Sequence, residues 1–157
     1  MVSSLIDNPK GSLMKKFITI VVIALLITAC DETKKVVNVT ENVQLSGAYR
    51  ISSISNKAVS ENAPFINFIA LEKTIRGNTG CNNFFGNYTI DPSALSFNDI
   101  GSTEMACEQP IMDVENAFLQ ALRNTGSYDI ENSVLTLYSK SDQSIILVAI
   151  KRTASKD

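Results

Sequence analysis

Gly77-Asn78-Thr79-Gly80-Cys81-Asn82-Asn83-Phe84-Phe85-Gly86-Asn87-Tyr88 is the stretch from which the rest of this chain is read. Glycine recurs in it at three places, and Gly reaches positive φ and tolerates close backbone approach where other residues clash. The stretch therefore predicts a shaped loop. Phe84 and Phe85 are adjacent, so extended backbone would send them to opposite sides, one into a core and one outward. The asparagines Asn78, Asn82, Asn83 and Asn87 suit either a polar ligand or the loop's own backbone groups, and the second is the commoner use of Asn in turns.

Outward from this stretch the pattern is mostly strand. Tyr49 and Ile51 alternate with Arg50 and Ser52, Phe65 to Leu71 is a β-favouring run after Pro64, and Thr74 to Asn78 leads into the glycine-rich stretch. Asn56 to Ala63 has loop chemistry. On the far side Tyr88 and Ile90 alternate, Asp91-Pro92-Ser93 makes a turn, and Leu95 and Phe97 share one face of the next strand. Tyr128 to Glu131, Val134 to Tyr138 and Ser144 to Arg152 follow at hairpin spacings, separated by Asn132-Ser133 and Ser141-Asp142-Gln143.

One segment breaks the rhythm. Pro110 to Arg123 carries Ile111, Val114, Phe118, Ala121 and Leu122 at helical spacing, with Asp113, Glu115 and Gln120 assigned to the rest of the wheel. Pro110 suits the first helical position, Arg123 the last turn and Gly126 the stop. Many short strands and one helix predict a mainly β (α+β) fold: a small antiparallel β-barrel, or a strongly curved sheet, packed with that helix.

The 157 residues make one domain of ordinary size, and a net charge of -2 favours neither disorder nor a nucleic-acid partner. The N-terminal part has a different logic. Lys15 and Lys16 precede an apolar run from Phe17 to Ala29, shorter than a bilayer span and patterned as a secretion signal, with Met14 as its natural start. The run ends in Leu26-Ile27-Thr28-Ala29-Cys30, which resembles the lipobox of bacterial lipoproteins. The resemblance implies cleavage before Cys30 and lipid on its sulfur, which would tether the protein to a membrane. The expected organisation is residues 1–29 as signal peptide, 30–46 as lipidated N-terminus and tether, with an optional edge strand at Val36 to Val39, 47–152 as the domain and 153–157 as a tail. The expected address is the bacterial cell envelope. Asp31 after the cysteine fits either inner-membrane retention or export to the surface.

The absent residue types narrow the chemistry. The chain has no histidine, which removes Ser-His-Asp and Cys-His machinery and the commonest zinc ligand. Among the carboxylates Glu104, beside Met105-Ala106-Cys107, is the nearest candidate for acid–base work, and its plain reading is a solvated loop residue. No metal or cofactor is implied. With Cys30 lipidated, Cys81 and Cys107 are left as an even pair. In an oxidising compartment that reads first as a disulfide and second as two buried thiols that never meet.

The same residues carry a family likeness. Gly80-Cys81-Asn82-Asn83-Phe84-Phe85-Gly86-Asn87-Tyr88 resembles the G-C-N-x-F-x-G-x-Y signature of the HslJ-like META domain family. Ser102-Thr103-Glu104-Met105-Ala106-Cys107 is similar to that family's S-T-x-M-x-C block, and Met112, Glu115, Phe118, Leu122 and Tyr128 follow at matching spacings. The likeness runs from about Gly47 to Arg152; Tyr49 stands where family members often have tryptophan. It implies a β-rich, barrel-like domain with one helix, exported and often lipid-anchored, linked to heat shock and drug tolerance, without catalytic residues. The expected function is thus a non-catalytic binding or envelope-stress role with an envelope protein as a candidate partner. The alternatives are a barrel carrying an apolar ligand and an inhibitor of an envelope enzyme such as a lysozyme. In this reading the opening stretch becomes a structural turn that brings Cys81 to Cys107, with recognition left to the asparagines and the outward ring.

Overall fold

The structure, a computed structural model, describes residues 44–59, 63–92 and 94–152. Among the described residues nine strands and one helix follow one another: β1 (Gly47–Ile54), β2 (Lys57–Ala58), β3 (Phe65–Ile69), β4 (Thr74–Asn78), β5 (Asn83–Asp91), β6 (Ala94–Ser102), α1 (Gln109–Asn124), β7 (Thr125–Glu131), β8 (Val134–Ser139) and β9 (Ile145–Lys151). The signal peptide, Cys30 and the optional strand at Val36 to Val39 lie outside the described residues.

All pairings are antiparallel, and β1 pairs with β9, so eight strands close on themselves in the order β1-β3-β4-β5-β6-β7-β8-β9. Closure removes the sheet edges that an open curved sheet would expose. The two-residue β2 extends this ring beyond the end of β3, pairing Ser53 with Ala58 and Ile54 with Lys57. Part of the segment expected as loop is therefore strand. Ser55 and Asn56, at φ 46° and 63°, make the two-residue turn before it, and Asn132 and Ser133, at 50° and 67°, do the same between β7 and β8. Both residues of each turn are left-handed, the geometry whose twist matches a hairpin.

A period of two decides what faces in. Tyr49 and Ile51, Ile66 and Phe68, Phe84, Tyr88 and Ile90, Leu95 and Phe97, Leu135 and Leu137, and Leu147 and Ala149 are all buried. Rings run edge to face through the interior, Tyr49 to Phe68 at 5.8 Å and Phe68 to Tyr88 at 5.4 Å between centroids. An eight-stranded barrel is just wide enough for such side chains to fill it. Leu45, assigned to the tether by its sequence position, is fully buried as well, so the packed unit begins ahead of Gly47.

The seam is between β6 and β7, where the register holds one pair, Ala94 with Ser127. The chain leaves β6 at its far end, after Ser102, runs through α1 and returns as β7. Pro lies in the first turn of α1, where its missing N–H has no helical partner anyway, and the helix buries Phe118, Leu119, Ala121 and Leu122. It touches β1, β6 and β9, and Phe118 meets Phe84 at 5.1 Å.

The stop is not the expected one. Thr125 is extended at φ −65°, its hydroxyl donates to Ala121 O at 2.9 Å, and β7 begins at once. Lys140 Nζ donates to Arg123 O at 3.2 Å, placing a cation at the negative end of the helix. Gly126 is needed for a different reason: a Cβ there would lie 2.5 Å from Lys140 Cα.

Candidate functional site

The glycine-rich stretch divides into a turn and a strand, which corrects its reading as a loop. Gly77 is the last residue but one of β4, where a Cβ would sit 2.0 Å from the Phe65 carbonyl oxygen, and Gly80 takes φ +99° in the turn. From Asn83 onward the residues alternate exposed and buried as β5. The signature's fixed positions Phe84, Gly86 and Tyr88 face inward, and its free positions Asn83, Phe85 and Asn87 face outward.

Beneath the turn lies a polar cluster. Glu115 is 5% exposed, which corrects its placement outside the apolar stripe of the helix. Its carboxyl accepts from the Thr79 hydroxyl, from Asn82 N at 3.2 Å and from Asn82 Nδ2 at 3.0 Å. The Asn82 side chain in turn accepts from Met105 N and from the Thr103 hydroxyl, both at 2.8 Å, and donates to Met105 O at 3.2 Å. Asn82 thus pairs with the main chain of Met105 as a strand residue would, while the Met105 side chain is exposed. Asn78 Oδ1 accepts from Gly80 N at 2.8 Å and its amide donates to Asn83 Oδ1 at 3.1 Å. Cys81 and Cys107 are joined in a disulfide, Cα to Cα 6.1 Å apart.

Each buried donor of this cluster has an acceptor close by, so the cluster has little left to offer a ligand. It ties three pieces of chain together: the β4–β5 turn, the segment after Ser102 and helix α1. The Cys81, Asn82, Thr103, Met105 and Cys107 positions picked out in the sequence meet here, and Ser102 pairs with Phe84 in the adjoining ladder. Glu104 is exposed and takes no part.

The outward positions make a second place, on the outer wall of the barrel. Phe85 is 62% exposed and stands opposite Arg76 of β4 and Gly101 of β6. Between Phe85 and Asn87 the β5–β6 register slips, because β6 carries an extra residue, Asp99, at φ 52°. Such a bulge redirects side chains. Asp99 follows the inward pair Leu95 and Phe97 by simple alternation, yet it is exposed and accepts from Asn87 Nδ2 at 3.1 Å. Gly86 faces the bulge, where a Cβ would lie 3.1 Å from Asn98 O. A groove of about 340 Å³ results, lined by Glu72, Thr74, Arg76, Phe85, Asn87 and Asp99. Sequence reading marked Phe85 and Asn87 and missed the other four. The signal for Asp99 was available, since an acid at an inward position of an alternating strand calls for a bulge.

A closed barrel with a single connecting helix, held at one turn by a disulfide and a buried carboxyl, sets the class of this domain. The chain belongs to the META domain family, whose model matches residues 41–152. It is 27% identical over 127 residues to the heat shock protein HslJ of Escherichia coli (strain K12), covering 79% of this chain and 89% of that one. Its fold is similar to that of a protein from Burkholderia xenovorans solved by NMR, with a TM-score of 0.58, 23% identity, and coverage of 73% of this chain and 88% of the other. A crystal structure of a DUF4847 family protein from Bacteroides vulgatus is similar at a TM-score of 0.53 and 16% identity, covering 73% and 99% of the two chains.

Proposed function

We propose that this chain is a non-catalytic binding protein of the bacterial cell envelope, held there by lipid on Cys30, and that it binds through the outer wall of β4, β5 and β6. The observation that carries this reading is the division of labour along β5. Its inward residues complete the core, and its outward residues Phe85 and Asn87 line a groove. An exposed ring beside a few convergent polar groups is the composition of a binding site. The heat-shock name of the HslJ relative fits an envelope-stress setting for such binding. The packed interior rings occupy the space that a carried apolar ligand would need, which counts against the carrier alternative.

One observation favours the inhibitor alternative as a second reading. Leu71, at the tip of the β3–β4 turn, is fully exposed, and an apolar side chain on a protruding turn suits insertion into an enzyme's cleft.

Affinity purification of the lipidated protein from native envelope, with lipids retained, tests both. A partner or ligand lost with Phe85→Ala supports the outer-wall reading, one lost with Leu71→Asp supports the inhibitor reading, and loss with neither removes both. The anchor is tested separately: Cys30→Ser is expected to block signal cleavage and palmitate incorporation, and normal processing of that variant would refute lipidation.

A further inference from the structure

We infer that the outer groove is a carbohydrate site in which Phe85 is the stacking platform and Asn87 with Asp99 is the hydroxyl clamp. The inference rests on the binding role proposed above and specifies its ligand class.

The geometry begins with the ring. A Cβ at Gly101 would lie 2.7 Å from Phe85 Cζ and within 3.3 Å of both Cε atoms, so the outer edge of the ring rests on bare backbone of β6. Covering a glycine with a cross-strand aromatic stabilises a sheet, and that alone would account for the contact. It does not account for the surroundings. After making the contact the ring is still 62% exposed, and polar side chains able to accept or donate in pairs stand around it. Arg76 lies opposite on β4, and at the next outward pair along the strands Thr74 stands opposite Asn87, with Glu72 joined to Thr74 at 3.3 Å and Asp99 joined to Asn87 at 3.1 Å.

A pyranose matches these features from two directions. One face of the sugar is a patch of C–H groups that carry partial positive charge, which the electron-rich face of an aromatic ring attracts. Its edge is a row of neighbouring hydroxyls, each both donor and acceptor, which planar amide, carboxyl and guanidinium groups satisfy two at a time. The Asn87–Asp99 pair supplies a donor N–H and carboxyl oxygens on the same side of the ring. Asp99 reaches that position through the left-handed bulge, a conformation that costs free energy in a non-glycine residue, and the same bulge sets the register that puts Gly101 opposite Phe85. A dry apolar ligand would leave these polar groups without water or partner, and a phosphate would meet both Glu72 and Asp99. A cationic peptide is the competing class that two carboxyl groups could attract, although Arg76 opposes it.

Titration of the lipidated full chain in detergent with the β-1,4-linked tetramer of N-acetylglucosamine, and in parallel with trilysine, decides the question. Saturable sugar binding weakened at least tenfold by Phe85→Ala and by Asp99→Ala, with Asn83→Ala unchanged, is the expected result. Asn83 is outward on the same strand but outside the groove, so it controls for the surface in general. Phe85→Ala also removes the cover from Gly101, so each variant's thermal midpoint is measured, and Gly101→Ala, which displaces the ring without deleting it, should weaken binding too. No saturable sugar binding, or sugar binding that survives Phe85→Ala, overturns the inference. So does binding of trilysine alone. If the sugar fails while Phe85→Ala still abolishes capture from native envelope, the ligand class is wrong and the proposed binding role stands.

Discussion

Glu115 on α1 and Asn82 in the β4–β5 turn meet with the Asn82 amide nitrogen 3.0 Å from both carboxyl oxygens. The pair lies between the helix and the barrel, and it fixes the turn that also carries Cys81. Hydrogen bonds at a buried carboxyl are among the more expensive to lose, because the groups left behind cannot reach water. Glu115→Ala should therefore cost about 3 kcal/mol, read from the midpoint of urea unfolding. Glu115→Gln should also destabilise, since its amide must aim an N–H at donors already present. If the Gln variant matches the parent, the carboxyl is not organising the turn.

The disulfide beside this pair closes a loop with a sequence separation of 26. Loop-closure entropy for that length amounts to roughly 3–4 kcal/mol, so the Cys81→Ala/Cys107→Ala double variant should lose about that much. Alkylation under denaturing, non-reducing conditions is expected to label neither cysteine in the parent protein. Labelling of both would show that the thiols are free. The two substitutions at Glu115 and the disulfide pair act on one turn, so their combined loss should differ from the sum of the separate ones.

The strands were legible because inward residues of a barrel must alternate, and Tyr49 with Ile51, or Leu95 with Phe97, could not be read otherwise. Two functional features were hidden where residue type and period disagree. Glu115 precedes Phe118 by three positions and Leu122 by seven, which places it on the buried stripe of the helix. Its charge argued for solvent, and the period prevailed because Thr79 and Asn82 supply donors from distant sequence. Asp99 shows the opposite outcome. Alternation pointed it inward, and β6 gained a residue so that the carboxyl stays outside. The groove itself needed the register of three strands, which no single stretch encodes.

Ser133 is the second residue of the β7–β8 turn, at φ 67°, where a side chain is crowded against its own backbone. Glycine has no such crowding, and Asn-Gly is the preferred pair for this turn. Ser133→Gly should raise stability by about 0.5–1 kcal/mol, seen as a higher thermal midpoint. The gain is partly offset by the greater freedom of glycine in the unfolded chain. A lower midpoint would mean that the serine side chain contributes something beyond the turn.

Tyr49 and Tyr88 give the fold a weakness at alkaline pH. Burial pushes the Tyr49 hydroxyl up to about 12, and it raises Tyr88 as well. The folded state therefore keeps protons that the unfolded chain releases near pH 10. Stability from this source is fully present below pH 10 and is lost as pH rises toward about 12. Tyr88 adds a further cost, since its buried hydroxyl has no hydrogen-bond partner among the described residues. Tyr88→Phe keeps the ring that packs 5.4 Å from Phe68 and deletes that hydroxyl. At neutral pH it should unfold at the same or a higher urea concentration, by up to about 1 kcal/mol. Above pH 10 its stability should fall less steeply than that of the parent. A clear loss at neutral pH would mean that the hydroxyl is bonded in solution.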